Sequence, residues 1–81
     1  MKYGLYAIRD IKVGFMSVMT DNNDSTAIRN FEHACSNVQS VFYTHPSDYS
    51  LYKIGVYDSD SGVIESLSPV QFICDAPVRK E

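Results

Sequence analysis

Residues 45–62 read HPSDYSLYKIGVYDSDSG, and this stretch decides the fold class of the chain. Pro46 predicts a turn, the run from Tyr49 to Tyr57 predicts a strand, and the polar run from Asp58 to Gly62 predicts a tight turn into a second strand. Because side chains alternate along a strand, this strand has two unlike faces. The face expected in the core carries Tyr52, Ile54 and Val56, and the face expected as an aromatic contact surface with one cation carries Tyr49, Leu51, Lys53 and Tyr57.

The residues before this stretch predict a hairpin followed by one helix. A strand is expected from Lys2 to Asp10, a turn up to Gly14, and a second strand from Phe15 to Met19. The polar cluster at 20–25 can satisfy the free N–H groups of a helix start. Apolar residues then recur at three-four spacing, which predicts a helix with one apolar stripe. That stripe consists of Ala27, Ile28, Phe31, Ala34, Cys35 and Val38.

The segments after the helix are less regular. Ser40 to Thr44 fits either a short strand or an extended link, and Val63 to Leu67 fits a strand. Pro69 is expected to break the chain, with a further strand possible from Val70 to Cys74. The predicted fold is therefore α+β, a small antiparallel sheet of four to five strands packed on one helix. The order is strand-strand-helix-strand-strand with a possible last strand, in a single domain at 1–75 with a flexible tail at 76–81.

Composition restricts the class of protein and its setting. The chain has 81 residues and a net charge of -3, which argues against a general basic coat for nucleic acid. Cys35 and Cys74 follow no metal or redox spacing, so a reduced intracellular setting is expected. Met1-Lys2 leads into a mixed strand and no run is long enough to span a membrane, so neither a signal peptide nor membrane association is expected. A domain this small has a thin stability margin, which favours a homo-oligomer, with a dimer preferred.

The sequence offers no convincing catalytic or metal site. The run Asp58-Ser-Asp60-Ser-Gly62 resembles the start of a calcium loop, but the position expected to hold the bidentate Glu is Pro69. His33, His45 and Asp48 have ordinary structural uses on a helix face and in a turn, and Cys35 is predicted to be buried on the helix stripe. We therefore expect a protein that is not an enzyme, with no catalytic residues, no metal and no cofactor.

The tyrosines and cations leave two interpretations open. An open sheet with aromatics for base stacking and cations for phosphates is a common way to hold a single strand of nucleic acid. Tyrosines also pair across strands and are favoured in dimer interfaces. On the first interpretation, Tyr49 and Tyr57 stack on bases, with Tyr6 as a further stacking residue. The residues that neutralise phosphates are then Lys2, Arg9, Lys12 and Lys53.

Three blocks of the sequence resemble a known phage family. The segments at 9–15 (RDIKVGF), 27–34 (AIRNFEHA) and 45–55 (HPSDYSLYKIG) are similar to the small nonstructural protein of gokushoviruses, tailless phages of the microvirus family with circular single-stranded DNA genomes. The similarity runs in order from about residue 3 to residue 67. It implies a protein of the host bacterial cytoplasm that binds single-stranded DNA during the switch to, or synthesis of, single-stranded genomes. An alternative is an adaptor that docks on the phage replication initiator or a host replication factor.

Overall fold

Four strands form one antiparallel sheet in the computed structural model, which describes residues 1–77. The strands are β1 (Lys2–Asp10), β2 (Gly14–Asp21), β3 (Tyr49–Asp58) and β4 (Ile64–Asp75), in the spatial order β2-β1-β3-β4. Helix α1 (Asp24–Cys35) follows β2, and a one-turn helix α2 (Val41–Thr44) and a 3-10 turn (Pro46–Asp48) precede β3. The predicted α+β class and the element order are confirmed.

Helix α1 begins and ends for local reasons. The Asn23 side chain accepts a hydrogen bond from the Thr26 N–H, and the Thr26 hydroxyl accepts one from the Asn23 N–H, which satisfies two free donors at the helix start. The helix ends at Cys35, one turn earlier than the predicted stripe requires. Val38 therefore lies beyond the helix and is 62% exposed, so its prediction as a stripe residue was wrong.

The core lies between α1 and one face of the two central strands. Helix α1 contributes Ala27, Phe31 and Cys35, and the fully buried Leu51 of β3 lies opposite them. Burying a side chain of that size contributes about 1.5–3 kcal/mol. The remaining members of the cluster are Tyr6, Ile8, Tyr49 and Ala76, with Phe42 of α2 packed edge-on against both Phe31 and Tyr49.

Two predicted segments differ from the structure. The stretch from Ser40 to Thr44 is neither a strand nor an extended link, because the Ser40 hydroxyl accepts the Phe42 N–H and starts the one-turn helix α2. Pro69 does not break the chain into two strands. Pro69 lies inside β4 and follows a cis peptide bond. It belongs to a bulge of four residues, 67–70, that lies opposite the single residue Ile54 of β3. A bulge in an edge strand tolerates proline because no ladder hydrogen bond is required there.

The ordered domain extends past the predicted boundary at residue 75. Ala76 is 3% exposed, and its N–H donates to the Tyr49 carbonyl oxygen at 3.0 Å. Ala76 therefore belongs to the domain, whereas residues 78–81 of the predicted tail lie outside the described residues. Across residues 1–77, neither helix has the length and apolar character needed to cross a membrane.

The close approach of β3 to β4 at Gly55 generates a stability prediction. A Cβ added there would lie 2.6 Å from the backbone carbonyl oxygen of Glu65, which no side-chain rotation can relieve. We expect Gly55→Ala to lower the free energy of unfolding by about 1–3 kcal/mol, as overpacking does elsewhere. Urea denaturation measures the change. The matched control is Ser66→Ala at the exposed position paired with Gly55, which should remain near wild type. Equal stability of the two variants would contradict the inferred clash.

Candidate nucleic-acid interface

The strand pairing assigns each sheet residue to one of two faces. Tyr6 and Ile8 of β1 lie in the core beneath α1, so Leu5, Ala7 and Arg9 point to the opposite side, which we call the open face. Directly opposed residues of antiparallel strands share a face. The register then places on the open face Phe15, Val18 and Thr20 of β2, Ser50, Tyr52, Gly55 and Tyr57 of β3, and Ile64, Ser66, Phe72 and Asp75 of β4.

A row of three aromatic rings crosses the open face. The ring centroids of Phe15 and Tyr52 are 5.4 Å apart at 83°, and those of Tyr52 and Phe72 are 5.6 Å apart at 77°. Both contacts are edge-to-face, a favoured arrangement for aromatic pairs. Phe15 and Phe72 remain about half exposed, at 49% and 52%. The row is therefore fixed by its internal contacts while its two outer rings stay accessible to a ligand.

The small side chain of Ala7 allows the row to form across β1. Ala7 is paired with Tyr52 on one side and Val18 on the other, and it is fully buried although it faces away from α1. A larger residue at this position would separate the Phe15 ring of β2 from the Tyr52 ring of β3. The Ala7 side chain therefore lies beneath the contact between the two rings.

The open face is close to electrically neutral among residues 1–77. Arg9 is exposed and paired with Phe15, which places its cation at one end of the aromatic row. Asp75 is the one acid at an open-face strand position in this part of the chain, and its carboxylate accepts a hydrogen bond from the Ser50 hydroxyl at 2.8 Å. Lys12 is exposed in the turn between β1 and β2, near Arg9 in sequence. The positive charge available to a ligand on this face is therefore small.

Two of the predicted stacking residues are inaccessible. Tyr6 is 1% exposed and Tyr49 is 8% exposed, and both belong to the core under α1. The prediction that the Tyr49, Leu51 and Lys53 side of β3 is a contact surface was wrong, because the helix covers that side. The predicted core residue Tyr52 instead lies on the open face.

A register shift explains why Tyr57 separates from Tyr49. Tyr6 pairs with Lys53 and Leu5 with Gly55, which leaves Ile54 as an extra residue in β3. The extra residue reverses the alternation, so Tyr57 lies opposite Tyr3 on the open face while Tyr49 lies on the helix side. The predicted grouping of Tyr49, Lys53 and Tyr57 on one face is therefore not found.

The predicted cations are also divided between regions. Lys2 and Lys53 line a cleft of about 450 Å³ on the helix side, between the start of α1 and the ends of β1 and β3. The Lys53 ammonium is 3.8 Å from a carboxylate oxygen of Asp24. Arg9 and Lys12 lie on the open face and in its adjoining turn. Arg9 and Tyr57 thus share the open face but lie at opposite ends of β1, where Tyr57 pairs with Tyr3, while Lys2 and Lys53 lie on the helix side.

Asp24 connects this cleft to the core. The Tyr6 hydroxyl donates a hydrogen bond of 2.5 Å to the Asp24 carboxylate that also faces Lys53. Burial first, and then the hydrogen bond to Asp24, raise the pKa of Tyr6 well above its usual value of 10.0. Tyr6 therefore stays protonated and joins the helix start to β1.

Sequence reasoning missed Phe15, Tyr52 and Phe72 as surface residues. They come from three strands, and only the strand order brings them together. One signal was present: a glycine inside a strand pattern, here Gly55, often marks a bulge or a close backbone approach. A bulge at this point reverses the face assignment for the rest of the strand.

Comparison with known proteins identifies the family. A family model described as Phage ORF5 protein matches residues 3–77. The chain belongs to the phage ORF5 protein family. No curated protein and no solved structure shows significant similarity to this ORF5 protein. Among residues 1–77, no group of three or more His, Cys, Asp or Glu side chains could hold a metal ion.

The Tyr6–Asp24 hydrogen bond generates a pH prediction. Because the folded state holds the Tyr6 proton more tightly than the unfolded chain, the stability from this group is present below pH 10 and is lost as the pH rises above 10. At pH 7, Tyr6→Phe should be less stable than wild type by about 1.5–3 kcal/mol, since it removes a hydrogen bond to a charged group. This deficit should shrink above pH 10. Urea denaturation at several pH values checks it, and a deficit that stays constant to pH 11 would exclude the proposed linkage.

Proposed function

We propose that this phage ORF5 protein binds single-stranded DNA through its open face. The observation that carries the proposal is the row Phe15–Tyr52–Phe72, held by edge-to-face contacts with its outer rings half exposed. The protein would act without catalysis in the host bacterial cytoplasm, during the switch to or synthesis of single-stranded genomes in a gokushovirus-type microvirus. The sequence resemblance to the gokushovirus nonstructural protein supports this setting.

The architecture supports the proposal by analogy. In several nucleic-acid-binding domains, a four-stranded antiparallel sheet is covered by helices on one face and stacks bases on aromatic side chains of the other. Here α1 covers one face and leaves the aromatic row on the opposite one. Stacking tolerates any base, because every base offers an aromatic face. The ligand class is therefore unpaired nucleic acid of mixed sequence.

The charge distribution determines the expected binding mode. Within residues 1–77, Arg9 and Lys12 are the cations beside the row, and the whole chain carries a net charge of -3. Each neutralised phosphate contributes about 0.7 to the salt dependence of binding to single strands, so two contacts predict a shallow slope. We therefore propose moderate affinity that comes chiefly from stacking. Lys2 and Lys53, on the helix side, are outside this binding mode.

The direct test is a fluorescence-anisotropy titration of labelled single-stranded and duplex oligonucleotides at two salt concentrations. The proposal expects binding that prefers the single strand and weakens only modestly with salt. Absence of binding at tens of micromolar protein in low salt would reject it.

Removal of an outer ring should weaken binding without unfolding the protein. We expect Phe72→Ala or Phe15→Ala each to lower the single-strand affinity by the value of one stacked base, about 1–3 kcal/mol. Val38→Ala is the matched control, because Val38 is 62% exposed and lies outside the sheet. Anisotropy titrations measure the affinities, and circular dichroism checks the fold. If both phenylalanine variants bind like wild type, the row does not contact DNA.

The cation at the end of the row should contribute one phosphate contact. Arg9→Gln is expected to weaken binding and to reduce the slope of log affinity against log salt by about 0.7. Arg29→Gln makes the same charge change on the exposed surface of α1 and should leave the slope unchanged. Titrations over a series of salt concentrations give both slopes. Equal slopes for the two variants would show that Arg9 does not contact a phosphate.

A protein-interaction adaptor is the second candidate function. The open face also exposes Val18 (59%) and Ile64 (62%), and a face that is apolar and nearly neutral suits a protein partner such as the phage replication initiator or a host replication factor. In that case the phenylalanine variants would lose the protein partner while the chain shows no single-strand binding of its own. The anisotropy titration therefore distinguishes the two functions.

A further inference from the structure

The two edges of the sheet differ in how well they are protected. An edge strand presents unpaired N–H and C=O groups that can pair with another chain, and most proteins block such edges with charges, prolines or bulges. Within residues 1–77, β2 pairs with β1 alone and β4 with β3 alone, so these two strands form the edges.

Strand β2 has one register irregularity, where Met16 and Ser17 lie opposite Ile8 alone, but it has no other protection of this kind. Residues 14–20 read GFMSVMT, which contains no charged residue and no proline. Four large apolar side chains of this strand are exposed on an eight-residue element. They are Phe15 (49%), Met16 (44%), Val18 (59%) and Met19 (42%).

Strand β4 is protected against the same kind of pairing. It contains Pro69 and two register irregularities, and it carries acids at Glu65 and Asp75. Proline removes a backbone donor and the irregularities interrupt the regular ladder. A head-to-tail contact of β2 with β4 of the next molecule, which would propagate as a filament, is therefore disfavoured.

We propose that β2 is the interface for a second copy of this chain, which pairs antiparallel with it about a twofold axis. In a twofold contact, β2 of one copy pairs with the antiparallel β2 of the other. Residues 14–20 are uncharged, so pairing them with the same residues of the second copy creates no repulsion between like charges. Lys12 precedes the strand and Asp21 ends it. Antiparallel pairing brings the Lys12 end of each copy, where Asp10 pairs with Gly14, to the Asp21 end of the other, so a lysine and an acid of the two copies are near each other at both ends of the contact.

The Asp21 end is well suited to that role. The Asp21 carboxylate accepts hydrogen bonds from the Thr26 hydroxyl and, at 2.7 Å, from the Asn30 side chain. The Thr26 contact is the main cause that lowers the pKa of Asp21, so this carboxylate keeps its charge to a lower pH than an ordinary aspartate. The two helices of the dimer lie on the same side of an eight-stranded sheet, and the two open faces join into one surface.

Sedimentation analysis of the full chain tests the proposal without DNA, so its result is independent of the proposed DNA binding. Wild type should sediment as a dimer over a range of micromolar concentrations. Val18→Lys places an ammonium from each copy in the contact and should raise the dissociation constant by about a hundredfold. Ile64→Lys makes a matched change on β4, at 62% exposure against 59%, and should leave the dimer intact. A monomeric wild type, or equal dissociation of both variants, overturns the proposal.

Hydrogen exchange on wild type provides a test that needs no variant to fold. The amides of β2 should become more protected as the protein concentration rises, while those of β4 should not change. Exchange in β2 that is independent of concentration overturns self-pairing, and it would direct attention to a strand supplied by another protein.

Discussion

The extra residue at Ile54 determines which side chains of β3 face the helix, and both faces of the molecule depend on it. Before this point, Tyr49, Leu51 and Lys53 face α1; after it, Gly55 and Tyr57 face the open side. The pairing of β3 with β4 is irregular at the same position. Gly55 makes the arrangement possible, because any Cβ there would overlap the Glu65 carbonyl oxygen. The core and the aromatic surface are therefore set by one local feature.

The sequence predicts the elements well because their signals are local. The bounds of β1, the capping residues before α1 and the turn at 58–62 all depend on neighbouring residues, and the structure has them as expected. The faces of β3 were predicted wrongly, since both of its alternating sets contain an aromatic and an aliphatic residue and Gly55 was the one local signal of the bulge. The row Phe15–Tyr52–Phe72 depends on strand order, which is a non-local property. Pro69 was misread because an irregular edge strand accommodates it.

A short covering layer explains where the exposed apolar residues occur. Helix α1 has 12 residues and is therefore about 18 Å long, so it covers only part of one face of the sheet. The central strands supply the buried residues, whereas β2 is exposed along most of its length. On the open face, edge-to-face contacts of about 0.5–1.5 kcal/mol each replace part of the missing layer. The outer strands therefore carry the exposed apolar surface that a partner could bury.

The acidity of the chain then restricts how it can bind a polyanion. Most acids of residues 1–77 lie on the helix side or in turns, and Lys53 is held near Asp24. The open face is consequently neutral, and long-range attraction cannot supply the affinity for DNA. In the proposed binding, short-range stacking would supply this affinity, and one row of three rings offers few stacking positions. A dimer joined through β2 would present two rows to the same strand, and linked weak sites gain affinity through effective concentration without added charge. The proposed self-association through β2 would thus make a net acidic protein compatible with the proposed binding of single-stranded DNA.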